Sequence, residues 1–214
     1  MKTMLLLFAS FATASLAGSL ALFNGKDLTG WKTAPITDGG AVNVISNGIV
    51  ECGMGDPMSG IVYTNTPPAM NYELSLEALR AEGSDFFIAL TIPVEKSFCT
   101  VIIGGWGGGL CGVSSVDHND ASENQWAEGL TLENNRWYTL RVRVTPGVLQ
   151  VFLNNDLYTA RIEYEDASRL SLRLGDIEKT KPLGLATYRT RALWRNFYLT
   201  PITVPLLSDK PRSE

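Results

Sequence analysis

Apolar and polar residues alternate one by one along several stretches of this chain, and no stretch sustains the period of about 3.6 residues that marks a helix. Tyr72–Leu79 (YELSLEAL) and Trp137–Val144 (WYTLRVRV) carry the clearest alternation. Successive side chains of a strand point to opposite faces, so each predicts a half-buried strand. Phe86–Val94 and Phe98–Ile103 are mostly apolar and predict strands buried on both faces. Turn signals separate these runs. Ser46-Asn47-Gly48 divides Ala41–Cys52 into two short strands, and Ala81-Glu82-Gly83-Ser84 precedes the first apolar run. Pro146-Gly147 leads into Val148–Leu153, and Asn154-Asn155-Asp156 into Leu157–Ile162. Gly and Asn tolerate positive φ, and Pro presets its own, which is why such groups reverse the chain. Gly184–Tyr188 and Leu193–Leu199 predict two closing strands, and Ser168–Leu174 a further one. Many short strands at this spacing predict an all-β sandwich or jelly roll of two antiparallel sheets.

The first residues fit a targeting segment. Lys2 supplies a positive charge, Met4–Phe11 an apolar run and Ser15-Leu16-Ala17 a small-residue cleavage site. The run is shorter than the roughly 20 residues a membrane-spanning helix needs. No Cys stands at the cleavage point to take a lipid. The expected organisation is a signal peptide over residues 1–18, one jelly-roll domain over 19–200 and a proline-containing C-terminal extension over 201–214. The mature protein is expected in the periplasm or secreted, with no stable membrane anchor. The 20 glycines and a charged fraction of 19% suit many strands joined by tight turns. A net charge of −4 argues against nucleic acid as a partner, because phosphate binding needs a basic surface. Cys52, Cys99 and Cys111 are an odd set without zinc-ligand spacing; one disulfide would leave a thiol over, and all three suit small buried apolar positions.

The segment Leu22–Trp31, LFNGKDLTGW, places an Asn-Gly turn between apolar ends. Phe23 and Trp31 suit core anchors of a first strand. The segment resembles the opening motif of the 3-keto-disaccharide hydrolase domain family, exported bacterial proteins with a concanavalin A-like jelly-roll fold. Two further stretches carry the resemblance. The Trp137–Asp156 meander is similar to the hairpin of concanavalin A-like sandwiches, and Gly184-Leu185 followed by Trp194-Arg195-Asn196-Phe197 is similar to the family's closing strands. Together they cover nearly all of the mature chain.

Candidate chemistry lies between Arg80 and Glu128. This stretch holds the only histidine, His118, with Trp106, Trp126, Asp85, Asp117, Asp120 and Glu123. Trp106 sits in the run Gly104-Gly105-Trp106-Gly107-Gly108-Gly109 and would suit stacking on the apolar face of a sugar ring. That run lacks the Lys-Ser/Thr ending of a phosphate loop. Asp117 through Trp126 supplies polar groups densely, Asn124 among them; the same residues suit a solvated loop. Asp85 suits a turn cap as well as a site, and Arg189, Arg191 and Arg195 suit solvation of strand edges. Asp117, Asn119, Asp120 and Glu123 could hold a divalent metal such as calcium through oxygen ligands, although the EF-hand spacing is missing.

The family resemblance implies a particular reaction. A 3-keto sugar has an acidified proton beside the ketone; its removal gives an enolate that expels the glycosidic oxygen, and water then adds. This needs a general base, a donor or metal at the ketone oxygen and an acid for the leaving group. By residue type, Asp85 or His118 is the candidate base, Arg80 or Arg189 the ketone partner and Glu123 the acid. Trp106, Trp126, Asp117 and Asn124 complete the candidate substrate-binding set. The chain departs from longer family members at Gly83–Phe87 and at Ala186, where they tend to carry Gln, and both changes fall where the concave face would be built. Three readings follow: an exported hydrolase acting on 3-keto-glycosides, a non-catalytic carbohydrate-binding domain using Trp106 and Trp126, and an envelope interaction domain without a small ligand.

Overall fold

The computed structural model of the chain describes residues 18–154 and 156–203, the side chains of 156–159 excepted. The expected signal peptide, up to residue 17, and residues 204–214 of the expected extension lie outside the described residues. The strands are β1 (Leu20–Ala21), β2 (Trp31–Thr33), β3 (Val42–Ile45), β4 (Ile49–Cys52), β5 (Met58–Tyr63), β6 (Tyr72–Gly83), β7 (Ile88–Val94) and β8 (Ser97–Gly105). They continue as β9 (Leu110–Ser114), β10 (Glu128–Gly129), β11 (Tyr138–Thr145), β12 (Val148–Leu153), β13 (Asp156–Glu163), β14 (Gly184–Tyr188) and β15 (Thr190–Pro201). They form two antiparallel sheets. One runs β13-β12-β11-β6-β15-β4-β3 with β1 also on β15; the other runs β10-β9-β8-β7-β14-β5-β2. This is the jelly-roll sandwich that the alternation predicts.

The core lies between the sheets. Leu74, Leu76, Leu140, Val142 and Trp194 of the first sheet pack in one cluster with Ile88, Leu90, Val101 and Ile103 of the second. The strands with the clearest alternation, β6 and β11, do bury every second residue. The second sheet behaves differently. β5 and β7 are buried on both faces because a second apolar group, Met58, Ala89, Ile102, Ile177 and Ala186, covers part of the outer side.

Ser168–Leu174 is not a strand. The Asp166 carboxylate accepts from the Ser168 amide at 2.8 Å and closes a 3₁₀ turn over Ala167–Arg169. Leu170 makes a lone bridge to Val116, and Ser171 exchanges two backbone bonds with Ser115 before the chain leaves as an open loop. Arg191 and Arg195 also do more than solvate edges. Arg191 pairs with Glu51 and Glu82, and Arg195 with Glu77 while lying 3.9 Å over the Trp137 ring. These pairs tie neighbouring strands of the first sheet on its wet face.

Cys52, Cys99 and Cys111 are free and buried. Burial pushes the thiols up to about 12, about 12 and about 11 respectively. Since the thiolate is the reactive form, the folded protein is expected to resist a thiol reagent at pH 8 and to titrate three equivalents after denaturation. Rapid labelling of the native protein would contradict this burial.

Candidate functional site

The outer face of the second sheet holds a cleft of about 390 Å³. Strand register sets the row of residues on this face. Ile102 of β8 lies opposite Ala89 of β7, Ala89 opposite Ala186 of β14, and Ala186 opposite Gly60 of β5. Because Ile88 and Leu90 point into the core, these alternate residues point outward. Of this row Ile102 reaches the cleft, with Thr100 of β8 and Ser114 of β9, while Ala89 and Ala186 are fully buried in one group with Met58 and Ile177. A Cβ on Gly60 would come within 2.6 Å of the Leu185 carbonyl oxygen, which fixes glycine there.

The walls rise from four loops. Phe86 and Tyr188, with ring centroids 5.6 Å apart, form an aromatic corner with Met58. The 3₁₀ segment Asp176–Thr180 contributes Asp176 and Ile177; Thr180 hydrogen-bonds Thr91 at 2.7 Å and pins the segment onto the sheet. Trp106 stands at the rim, 43% exposed, on a turn in which its own φ is 49°. Asp85 holds that turn: Oδ1 accepts from the Phe86 amide at 2.8 Å and Oδ2 from the Gly107 amide at 3.2 Å. At the far side Asp120 pairs with Arg173 at 2.8 Å beside Ser114 and Thr100.

Of the residues singled out by sequence, the structure brings Asp85, Trp106 and Asp120 to this cleft. The others lie elsewhere or are already engaged. Arg80 is 5% exposed. Its guanidinium donates to Asn134 Oδ1 at 2.6 Å and to the carbonyls of Leu132, Gly108 and Asp85 at 2.7, 3.0 and 3.3 Å, with Phe87 against its face. It knits the loops behind the cleft. Asp117 is held by Arg169 at 2.5 and 2.7 Å, and that hydrogen bonding keeps its carboxyl below the usual range. Asn124 donates to the carbonyls of Val113, Asp120 and Asn119 and so folds its own loop. Trp126 packs on the core edge with Arg169 at 5.5 Å, which leaves no exposed pair of tryptophans in one plane. His118 and Glu123 are exposed on the Val116–Asn124 loops and do not line the cleft. Arg189 is exposed beside Tyr188 and pairs with Asp56 at 3.6 Å.

The proposed calcium ligands are divided in the same way: Asp117 goes to Arg169 and Asp120 to Arg173. Among the described residues no three His, Cys, Asp or Glu side chains gather into a metal-holding group. Sequence reasoning did not single out Met58, Arg173, Asp176, Ile177 or Tyr188, which also line the cleft. They come from segments far from the Arg80–Glu128 stretch.

Residues 18–200 match the sequence profile of the 3-keto-alpha-glucoside-1,2-lyase-like domain. The chain belongs to this family. A carbohydrate-related function is the one that membership of the lyase-like family supports. No curated protein sequence matches the chain. Among solved structures, a candidate glycosyl hydrolase from Parabacteroides distasonis ATCC 8503 is similar with a TM-score of 0.56 and 14% identity, covering 87% of this chain and 95% of its own. The carbohydrate binding module CBM66 from Bacillus subtilis gives 0.55 and 15%, covering 80% and 95%. A laminarinase from Flavobacterium sp. UMI-01 gives 0.55 and 8%, covering 86% and 98%. At these identities the likeness is one of fold. Of the two places where this lyase-like domain is expected to differ from longer members, Gly83–Phe87 brings Asp85 and Phe86 to the cleft, whereas Ala186 is fully buried in one group with Met58 and Ile177.

Proposed function

We propose that this protein is an exported enzyme that cleaves 3-keto-glycosides by proton abstraction beside the ketone, elimination of the glycosidic oxygen and hydration. The observation that carries the reading is the cleft itself: an aromatic wall, three carboxylates and a guanidinium, in a chain of the lyase-like family. Sugar sites take this form because the ring's C–H face stacks on aromatics while its hydroxyls need planar polar partners. Asp85 is the base in this reading. Its two backbone N–H partners hold the carboxylate against the cleft, so it need not be ordered when substrate arrives. The proton beside the ketone passes to Asp85, the C–H electrons form the enolate, and collapse of the enolate breaks the bond to the leaving oxygen, which takes a proton from water. Export rests on Lys2, the Met4–Phe11 run and Ser15-Leu16-Ala17.

The test is product formation from 3-keto-glucosides and their unoxidised parents, with and without divalent metal. Cleavage of the keto forms alone is the expected result. Replacing Trp106 by Ala is expected to weaken substrate binding roughly fivefold, about 1 kcal/mol for a lost stacking contact, with no change in unfolding midpoint. Saturable sugar binding without turnover of any keto form would replace the enzyme with a carbohydrate-binding module.

A further inference from the structure

We infer that Arg173 binds the ketone oxygen of the substrate and carries the charge of the enolate, and that Asp120 is the residue that positions it. This rests on the reading of the cleft as a 3-keto-glycoside site and assigns the one function there that Asp85 cannot serve.

Asp85, Asp120 and Asp176 line the cleft, and Arg173 is the one cationic side chain among its lining residues. Arg80, the cation nearest in sequence to Asp85, is buried with its donors spent on Asn134 and three carbonyls. Lys179 is drawn to Asp176 at 2.6 Å. An oxygen that becomes negative in the cleft therefore has Arg173 as its counter-charge.

Arg173 is also held where it can act. Its side chain is 64% exposed, whereas that of Asp120 is 14% exposed. A solvent-exposed arginine ordinarily samples many rotamers, and an exposed pair contributes little to stability. Here the carboxylate end is fixed. The Asp120 carbonyl accepts from the Glu123 and Asn124 amides and from the Asn124 side chain, at 2.9, 3.1 and 2.8 Å. Asp120 Oδ1 is buried without a hydrogen-bond partner, and Oδ2 faces the Arg173 guanidinium. A largely buried carboxylate needs a counter-charge, so the pair is maintained from the Asp120 side. The Arg173 contact to Asp120 is made through Nη1. A guanidinium has five N–H donors, so others remain for a ligand oxygen.

The step balances without a further reagent. As the base takes the proton beside the ketone, the C–H electron pair becomes the carbon–carbon π bond of the enolate, and the carbonyl π pair moves to oxygen. That oxygen meets the free N–H groups of Arg173. On collapse the carbonyl re-forms, a new carbon–carbon double bond appears beside it, and the leaving oxygen departs with the glycosidic electron pair. A donor placed where charge develops stabilises the transition state more than the ground state, so kcat should carry the effect.

The experiment compares the wild type with Arg173→Ala, Arg173→Lys and Asp120→Asn in two assays. One is turnover of a 3-keto-glucoside. The other is exchange, in deuterium oxide, of the proton beside the ketone in a 3-keto sugar lacking a leaving group, which isolates enolate formation. Arg173→Ala is expected to lower kcat and exchange together by about 100-fold, as for loss of an oxyanion donor, with a smaller change in KM and a lowered unfolding midpoint because Asp120 loses its counter-charge, the rates being compared under conditions where both proteins are fully folded. Added guanidinium at low millimolar concentration should restore part of both rates. Arg173→Lys should recover less than the native residue, because a point charge does not reproduce the planar fork. Asp120→Asn should lower both rates by a smaller factor and also be answered by a shift in KM, as expected when a cation is misplaced. Wild-type rates in Arg173→Ala would overturn the assignment while leaving the 3-keto-glycoside reading in place. Absence of both turnover and exchange in the wild type would overturn that reading and the assignment with it.

Discussion

Arg80→Ala is expected to destabilise the protein by about 3–5 kcal/mol, measured as the shift in denaturant midpoint at unchanged slope. The guanidinium is 5% exposed and serves four acceptors on three separate loops: Asn134 Oδ1, the Leu132 and Gly108 carbonyls, and the Asp85 carbonyl. Each acceptor left unpaired in a closed site costs roughly 1–3 kcal/mol, with water recovering part of it. Phe87 loses a stacked cation in addition. Arg80→Lys should fare little better, since one ammonium cannot reach acceptors that lie on several sides of a planar fork. Activity is expected to fall only as far as the fraction folded falls and as the Gly105–Gly109 turn loosens. A stable Arg80→Ala protein with lost turnover would instead place Arg80 at the ketone, the role residue type alone suggested.

That contrast marks what the sequence could and could not convey. Alternation exposed β6 and β11 because each has one dry and one wet face. β5 escaped notice: Met58–Tyr63 is buried throughout, so MSGIVY has no alternation to display. Ser168–Leu174 has the composition of a strand, but the Asp166 cap bends it into a 3₁₀ turn, and the segment beyond it carries Arg173 to the cleft. The candidate site was half legible for the same physical reason. Asp85, Trp106 and Asp120 share one stretch of chain, and all three reach the cleft. Met58, Asp176, Ile177 and Tyr188 reach the same cleft through strand order, β8-β7-β14-β5, which no local spacing encodes. The polar run from Asp117 to Trp126 was rich in functional side chains, yet most of them are spent on Arg169 and on backbone carbonyls of their own loop.

Trp31→Ala is expected to cost about 3–5 kcal/mol, enough to leave a marginal domain largely unfolded at physiological temperature. Trp31 ends the LFNGKDLTGW motif, and the structure gives the motif a mechanical role. The turn is self-contained: Asn24 Oδ1 accepts from the Lys26 and Asp27 amides, and Asp27 Oδ1 from the Thr29 amide and the Asn24 side chain. Those hydrogen bonds, from Thr29 and Asn24, lower the Asp27 carboxyl to about 2. The turn thereby returns Trp31 to its own start, where the indole N–H donates to the Leu22 carbonyl at 2.8 Å. The ring then meets Phe23 at 5.3 Å, Tyr63 at 5.2 Å and Phe197 at 5.6 Å. Tyr63 belongs to β5 of the second sheet and Phe197 to β15 of the first, so Trp31 joins the two sheets at their edge. Truncation removes the indole, opens a cavity among three rings and orphans the Leu22 carbonyl. Trp31→Phe separates these terms: the ring contacts survive in part, the hydrogen bond does not, and the loss should fall to about 1–2 kcal/mol. Equal losses for the two variants would assign the whole effect to the hydrogen bond, and a negligible loss for both would mean that the sheets hold together without this clamp.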